Sequence, residues 1–311
     1  VHEIREDFVD YLGEAQAFDA GIGVILEELE KMGELDNTFI AVSGDHGIPG
    51  FPRAKFNLYD LGSEVALAAR WPGKIDAGQV IEEFVNIMSL APTFLEAAGE
   101  QPNANMADSL LPLMTGSSEI NLEGEGEYVV LGCERHVAFS REGGLPYPSR
   151  AIRTKDYIYI HNFAPDRWPM GSPDGLEDPN VVNEEEIYKM GDYTAYYFFA
   201  GSRPVYAEWD GGPTKQWMLL NRSTPEVKPN FDLAVGKRPA EELYDLRVDP
   251  DYLINVAENP NYVEIVKELS SKLFKTWLSP DSISYVIISH FFASSLMADA
   301  SLKSATICSA P

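Results

Sequence analysis

Cysteine and basic residues are scarce in this sequence, and each scarcity argues against a class of site. The two cysteines, Cys133 and Cys308, lie far apart and match no zinc or redox spacing. Lys and Arg number 24 against 49 Asp and Glu, which gives a net charge of −25. Nucleic acids and anionic membrane surfaces attract basic patches, so neither is a predicted partner. No run reaches the ~18 apolar residues of a transmembrane helix.

The first half of the chain alternates helical and extended patterns, which predicts an α/β fold. Residues 3–32 repeat apolar side chains at three- and four-residue steps, and a strand ending at Val42 follows. This helix-to-strand unit is typical of α/β sheets. A second strand is predicted at 65–70 and a helix at 87–98, whereas the polar stretch 103–126 predicts a loop.

The second half of the chain carries shorter extended patterns and a single clear helical pattern. Strands are predicted at 128–131, 137–139, 151–153, 157–160 and 242–245, and a helix at 262–277. The third and fourth of these strands form a predicted hairpin. Residues 163–240, which are rich in aromatic residues, Pro, Gly and acid, are predicted to be irregular.

Composition predicts three segments. With 45% hydrophobic residues in 311, the chain can bury the core of one large or two modest domains. Gly and Pro cluster at 143–148, so a larger domain is predicted at 1–145 and a smaller one at 146–279. Residues 280–311 differ in character, since only Asp299 and Lys303 carry full charge after Ser282. We predict a non-native tail there; the alternative is an apolar extension that packs on the body or a partner.

A short acid–imidazole motif is the strongest candidate site. The predicted strand ending at Val42 leads into Ser43-Gly44-Asp45-His46-Gly47, and Lys55 follows soon after. Ligands of open α/β sheets bind outside the carboxyl ends of strands. Asp45 and His46 can donate oxygen and nitrogen to a metal, while Lys55 can hold an anion. The alternatives are a turn-forming or helix-capping Asp45 and a lysine whose stem lies along the surface.

An ordered series of motifs resembles the sulfatases of the alkaline-phosphatase superfamily, in particular the sulfamidase-like branch. The series covers about residues 1–279. Its members are Asp36-Asn37-Thr38, Ser43-Gly44-Asp45-His46-Gly47, Phe51-Pro52-Arg53-Ala54-Lys55-Phe56-Asn57-Leu58-Tyr59-Asp60, Arg70-Trp71-Pro72-Gly73, Leu90-Ala91-Pro92-Thr93-Phe94-Leu95-Glu96-Ala97-Ala98-Gly99, Arg150-Ala151-Ile152-Arg153-Thr154 and Glu241-Glu242-Leu243-Tyr244-Asp245-Leu246.

The resemblance implies a fold, an activity and cofactors. The fold is an alkaline-phosphatase-like mixed sheet flanked by helices, with a smaller C-terminal domain of antiparallel sheet plus helix. The activity is metal-assisted hydrolysis of a sulfuric ester or sulfamate on a sulfated small molecule or glycan. The cofactors are a divalent metal, Ca²⁺ or Mg²⁺, and a formylglycine nucleophile. Periplasmic or extracellular localisation is expected for this family.

The resemblance also implies roles for particular residues. Asp45 and His46 align with metal ligands, although His46 could instead hydrogen-bond the sulfate ester or its leaving group. Lys55 aligns with the cation that grips the substrate sulfate, where it would stabilise charge developing during cleavage. Arg53 is a substrate-binding candidate that could equally pair with an acid.

Three further features of the second half are candidates for ligand binding. Glu134 and His136 lie at a predicted strand edge, from which they could reach substrate; the alternative is a structural role. The run Gly211-Gly212-Pro213-Thr214-Lys215 resembles a loop of the same branch. It lacks the strand-to-helix context of a phosphate cradle, so none is predicted there.

The sequence lacks the Cys/Ser-x-Pro-x-Arg motif from which sulfatases make formylglycine. The nearest match ends in Ser149-Arg150 but has Pro146 where Cys or Ser is required. We therefore expect a C-terminal portion of a sulfatase that is inactive alone. The alternatives are a non-catalytic sulfatase-like binding protein and a phosphatase or phosphodiesterase of the same superfamily.

Overall fold

The computed structural model of the protein describes residues 2–117, 127–173, 176, 199–200, 203–278 and 290–293. Within these ranges the α-helices are α1 (His2–Lys31), α2 (Asp60–Ser63), α3 (Leu90–Ala97), α4 (Leu111–Thr115), α5 (Pro213–Asn221), α6 (Lys228–Val235) and α7 (Val263–Trp277). The strands are β1 (Ile40–Ser43), β2 (Glu64–Arg70), β3 (Ile81–Val85), β4 (Tyr128–Cys133), β5 (Ser149–Thr154), β6 (Tyr157–Asn162), β7 (Phe199–Ala200), β8 (Arg203–Pro204), β9 (Glu241–Asp245) and β10 (His290–Ala293).

The described residues form two compact units, and each is described by itself. The first unit comprises residues 2–7, 46–63 and the described part of 130–288. The second unit comprises residues 8–45, the described part of 64–129 and β10. The predicted domain boundaries at 145 and 279 stay predictions.

The second unit contains a four-stranded mixed sheet in the order β1-β2-β10-β3. Strand β1 pairs antiparallel with β2, while β10 runs parallel to β2 and antiparallel to β3. Val65 and Leu67 share one face of β2 because successive side chains of a strand point to opposite faces. The buried core joins these two residues to Val85, Leu110 and Met114.

Helix α3 and the part of α1 from Phe8 onward belong to the second unit, and the two helices differ in burial. Helix α1 is 30 residues long, with Glu3 in its first turn and Lys31 in its last, charges that suit the helix dipole. None of its residues is buried. In contrast, α3 is fixed by buried Thr93, whose hydroxyl accepts a 2.8 Å bond from the Leu110 N–H. That bond joins α3 to the residue before α4.

The first unit contains a second four-stranded sheet in the order β4-β5-β6-β9. Strands β5 and β6 form an antiparallel hairpin, and β6 pairs antiparallel with β9. Ile152, Ile158 and Leu243 are fully buried in this sheet. Helix α7 contacts β5 and β6 and buries Leu269 and Leu273, four residues apart on one helical face. A small sheet with one helix packed on it is the architecture predicted for this half.

Several sequence predictions are confirmed. Helix α1, strands β1, β2, β4 and β9, the β5–β6 hairpin and helix α7 lie where the patterns place them. The predicted helix at 87–98 is a short 3-10 turn (Ile87–Ser89) followed by α3. These elements have strong periodicity or clear turn signals at their ends.

Other predictions are wrong. Residues 137–139 form turns rather than a strand, because the Val137 N–H is bonded to the Glu208 carboxylate and is not available to a sheet. Strand β3 was not predicted, since its two consecutive glutamates break the alternating pattern. Helix α4 lies in the predicted loop 103–126, and α5 and α6 lie in the predicted irregular stretch 163–240.

The predicted non-native tail falls mostly outside the described residues. Of residues 280–311, the structure describes β10 alone. The nature of this tail stays a prediction. Cys308 also lies outside the described residues, whereas Cys133 is a buried free thiol whose pKa is raised by burial. No helix of the described residues is long and apolar enough to cross a membrane.

Candidate functional site

The segment that carries Lys55 packs closely on helix α2. The Gly47 N–H donates to the Gly62 carbonyl at 3.1 Å, and the Lys55 N–H donates to the Ile48 carbonyl at 3.1 Å. A Cβ at residue 47 would lie 1.8 Å from the Leu61 carbonyl oxygen, so only glycine fits there. The backbone of Lys55 is therefore fixed by local contacts.

Lys55 forms an ion pair with an acid from a distant part of the chain. Its Nζ lies 2.8 Å from Oδ2 of Asp210, and the two side chains are 22% and 20% exposed. The other carboxylate oxygen, Oδ1, lies 3.9 Å from Nε2 of His136. The His136 ring in turn packs near the Phe56 ring, with centroids 5.8 Å apart. The Asp210 carboxylate thus contacts both Lys55 and His136, two of the candidate site residues predicted from the sequence.

A second acid of the same loop organises the backbone around His136. We call residues 205–212 the acidic loop. Glu208 is buried and accepts bonds from the N–H groups of His136 (3.0 Å) and Val137 (2.9 Å). It also accepts a 2.7 Å bond from the Ser140 hydroxyl and a 3.1 Å bond from Arg141 Nη1. Glu208 therefore fixes the turn that presents His136.

Arg141 is the buried cation that balances Glu208. It also donates to the carbonyls of Trp168 (2.7 Å) and Pro169 (2.5 Å). Burial lowers the pKa of Arg141, and the neighbouring Glu208 opposes that shift. With all of these acceptors in place, the buried charge of the guanidinium is well compensated.

Lys215 fixes the acidic loop by hydrogen bonds to its backbone. It is buried, and its Nζ donates to the backbone carbonyls of Tyr206 (2.9 Å) and Trp209 (2.5 Å). Burial lowers the pKa of this amine to about 7, while the negative charge of Asp210 acts in the opposite direction. The run 211–215, which resembled a loop of the sulfamidase-like branch, is therefore the link between Asp210 and the start of α5.

Arg53 lies against aromatic rings of the first unit. Its guanidinium carbon is 4.3 Å from the centre of the Tyr59 ring, and Nη2 donates to the Tyr244 hydroxyl at 3.2 Å. Nη1 donates to the Tyr252 carbonyl. These contacts assign Arg53 a packing role. Its predicted contact with substrate stays a prediction.

Glu134 pairs with a cation of β5 and does not join the Lys55 group. Its Oε1 lies 2.5 Å from Nη2 of Arg150, and half of its side chain is exposed. The Tyr147 N–H donates to the Glu134 carbonyl at 2.8 Å, which closes the loop between β4 and β5. The structure thus separates Glu134 from His136, although they lie two residues apart in sequence.

The described residues do not make a closed metal site. Among them there is no group of three or more His, Cys, Asp or Glu side chains that could hold a metal ion. Asp45 belongs to the second unit and His46 opens a segment of the first, with its Nδ1 2.8 Å from the Gly47 carbonyl oxygen. Calcium takes six to eight oxygen ligands, more than this pair supplies. The divalent ion therefore stays a prediction from the resemblance.

The sequence did not predict the roles of Glu208, Asp210 and Lys215, which shape the site. All three lie in the stretch 163–240, which was predicted to be irregular. The available signal was the position of Asp210 directly before the run 211–215, which resembles a family loop. Nothing in the spacing shows which distant cation the acid meets.

The fold of the chain is that of a known class of solved structures. A putative sulfatase from Bacteroides thetaiotaomicron VPI-5482 has a TM-score of 0.50 and 18% sequence identity, covering 84% of this chain and 40% of that one. At this level of identity the likeness establishes the fold alone. The predicted α/β class, with its mixed sheet and smaller C-terminal sheet, is confirmed.

Sequence comparison finds a family likeness in the first third of the chain. Residues 5–100, which include Asp45, His46 and Lys55, match the Sulfatase family model. An ulvan-active sulfatase of Formosa agariphila is 28% identical over 279 residues, which are 89% of this chain and 39% of that protein. Human N-sulphoglucosamine sulphohydrolase is 28% identical over 264 residues, 83% of this chain and 45% of that protein. The chain thus spans less than half the length of these relatives.

Proposed function

We propose that this chain is the anion-gripping part of a sulfuric ester or sulfamate hydrolase that acts on a sulfated carbohydrate. The single observation that carries the proposal is the position of Lys55. Its side chain is 22% exposed, its backbone N–H is bonded to the Ile48 carbonyl, and its ammonium group already binds an anionic group, Asp210. The names of the relatives in Formosa agariphila and Homo sapiens support a sulfated carbohydrate as the substrate class.

Lys55 acts by electrostatic stabilisation. An ammonium that is shielded from water interacts more strongly with sulfate oxygens than one in bulk solvent does. It would neutralise charge that grows on those oxygens as the S–O or S–N bond breaks. His136, on the far side of the Asp210 carboxylate, is the second group of this site that can contact a bound anion.

The nucleophile and the divalent metal are proposed from the family resemblance alone. Formylglycine would supply the attacking hydrated aldehyde, and a divalent ion would make the hydrolysis metal-assisted. The sequence contains no Cys/Ser-x-Pro-x-Arg motif, so we expect negligible hydrolysis of an aryl sulfate by this chain. Localisation outside the cytoplasm is proposed on the same family basis.

Binding of phenyl sulfate to the 311-residue chain, measured by calorimetry, tests the role of Lys55. We expect Lys55→Gln to weaken binding about tenfold or more, since a charge-assisted contact is lost. The matched control is Lys228→Gln, because Lys228 is an exposed lysine that pairs with Asp232 at 2.7 Å. Equal affinity of the wild type and K55Q would contradict the proposal.

A non-catalytic, sulfate-binding relative is the second candidate function, since an ammonium group that holds an anion can serve binding as well as hydrolysis. The coding sequence upstream of residue 1 separates the two candidates. An in-frame Cys/Ser-x-Pro-x-Arg would support the hydrolase, whereas a start codon at residue 1 would support the binding protein. Tighter binding of phenyl phosphate than of phenyl sulfate would instead support the phosphatase alternative.

A further inference from the structure

We propose that Asp210 is a specificity-determining residue: it is a built-in counter-anion of Lys55 that favours singly charged ligands over doubly charged ones. This inference rests on the proposed role of Lys55 in binding the sulfate group, a role called the anion clamp below. It adds that Asp210 sets the affinity of Lys55 for anions and its preference for one ligand charge over another. A bound anion has to replace the carboxylate that lies 2.8 Å from Lys55 Nζ.

The position of Asp210 does not depend on the ligand, because the acidic loop is held from several sides. The Tyr206 N–H donates to the Ser172 carbonyl at 2.9 Å, and the Glu208 N–H donates to the Met170 carbonyl at 3.0 Å. Buried Lys215 binds two further carbonyls of the loop. A Cβ built on Gly50 would lie 3.5 Å from the Gly211 carbonyl oxygen, so the loop also packs directly on the segment that carries Lys55.

A fixed carboxylate produces charge discrimination. When an anion binds Lys55, Asp210 loses an ion pair but cannot move far, so its negative charge remains within a few ångströms of the ligand. Coulomb repulsion grows in proportion to the charge of the ligand. A sulfate monoester or a sulfamate carries one negative charge, whereas a phosphate monoester carries close to two above its second pKa of about 6. Asp210 therefore penalises the phosphate ester more.

The environment makes this effect large enough to measure. The side chains of Lys55 and Asp210 are each about one-fifth exposed. Charges at this depth are screened less by salt than fully exposed ones. His136 Nε2 lies 3.9 Å from the other oxygen of the same carboxylate, so a second polar group borders the position of Asp210.

The test is calorimetric binding of phenyl sulfate and phenyl phosphate at pH 8 to the 311-residue chain and its variants. We expect Asp210→Asn to bind phenyl sulfate about tenfold more tightly and to bind phenyl phosphate with a gain several-fold larger. Asp210→Glu keeps the charge and should retain an affinity close to that of the wild type. Unchanged or weaker binding by D210N, or an equal gain for both ligands, would overturn the inference.

Two controls separate this inference from the proposed function. Asp232→Asn changes the net charge by the same amount at an exposed pair and should alter neither affinity more than about twofold. In the double variant Lys55→Gln, Asp210→Asn the gain should disappear. If binding depends on Lys55 but D210N shows no gain, the inference alone fails. If wild type and K55Q bind equally, it is the anion clamp that fails.

Discussion

The acidic loop carries two carboxylates two residues apart, and they have opposite surroundings. Glu208 and its partner Arg141 are almost completely buried, at 0% and 6% side-chain exposure, and both are surrounded by hydrogen-bond partners. Asp210 and Lys55 are each about one-fifth exposed and reach solvent. The first pair is saturated and holds the backbone in place. The second pair has room for exchange with a ligand, so the loop combines a structural acid with a functional one.

The largest expected effect tests the structural member of this comparison. Glu208→Gln should lower the free energy of unfolding by about 3–5 kcal/mol, because it leaves the buried charge of Arg141 without its partner. Urea denaturation monitored by circular dichroism measures this loss. The control is Glu226→Gln, at an exposed acid, which should change stability by less than about 0.5 kcal/mol. Similar midpoints for the two variants would mean that Glu208 is not the structural acid.

A pH series tests the lysine that holds the loop. Because burial lowers the pKa of Lys215 to about 7, the unfolded chain binds more protons than the folded one from about pH 7 up to the ordinary lysine value. Over that window, stability contributed by this residue rises with pH, by at most about 1.4 kcal/mol per pH unit. Lys215→Met should therefore lose stability relative to the wild type as pH increases from 7 to 10.

Urea denaturation at pH 6, 7, 8, 9 and 10 gives the required curves for the Lys215 prediction. Lys228→Met serves as the control, since Lys228 is exposed and should give a curve parallel to that of the wild type. Parallel curves for K215M and wild type would show that Lys215 keeps an ordinary pKa in the folded chain.

The smallest expected effect concerns the functional member of the comparison. Asp210→Asn should cost about 1 kcal/mol of stability or less, because Lys55 can be hydrated when its partner charge is removed. The same urea series that includes E208Q measures this value. A loss as large as that of E208Q would place Asp210 among the structural residues and remove the contrast between the two acids.

The sequence predicted the parts of the fold that local pattern controls. The apolar stripe of α7 and the alternating strands of the β5–β6 hairpin are periodic, and periodic segments are the most predictable ones. Lys55 was found because it follows an acid–imidazole motif at a family spacing. In each case the signal lies within about 20 residues of the feature it predicts.

The parts that escaped prediction depend on contacts between distant residues. The Val137–Phe139 segment has strand-forming residues. However, the Val137 N–H donates to the carboxylate of Glu208, 71 residues away, and the segment forms a turn. Asp210 looks like an ordinary loop acid until the fold brings it to Lys55. Lys215 looks like a surface lysine, and its burial follows from the packing of α5. No local pattern encodes these pairings.

Helix α1 bears on the handling of this polypeptide in solution. Large apolar side chains such as Phe8, Phe18 and Ile25 are about half exposed along it, which favours self-association. A net charge of −25 opposes that tendency, since similarly charged molecules repel one another. That repulsion vanishes near the isoelectric point of about 4.5 and is screened by salt. Self-association should therefore be weakest in buffer of low ionic strength at neutral or alkaline pH and strongest near pH 4.5.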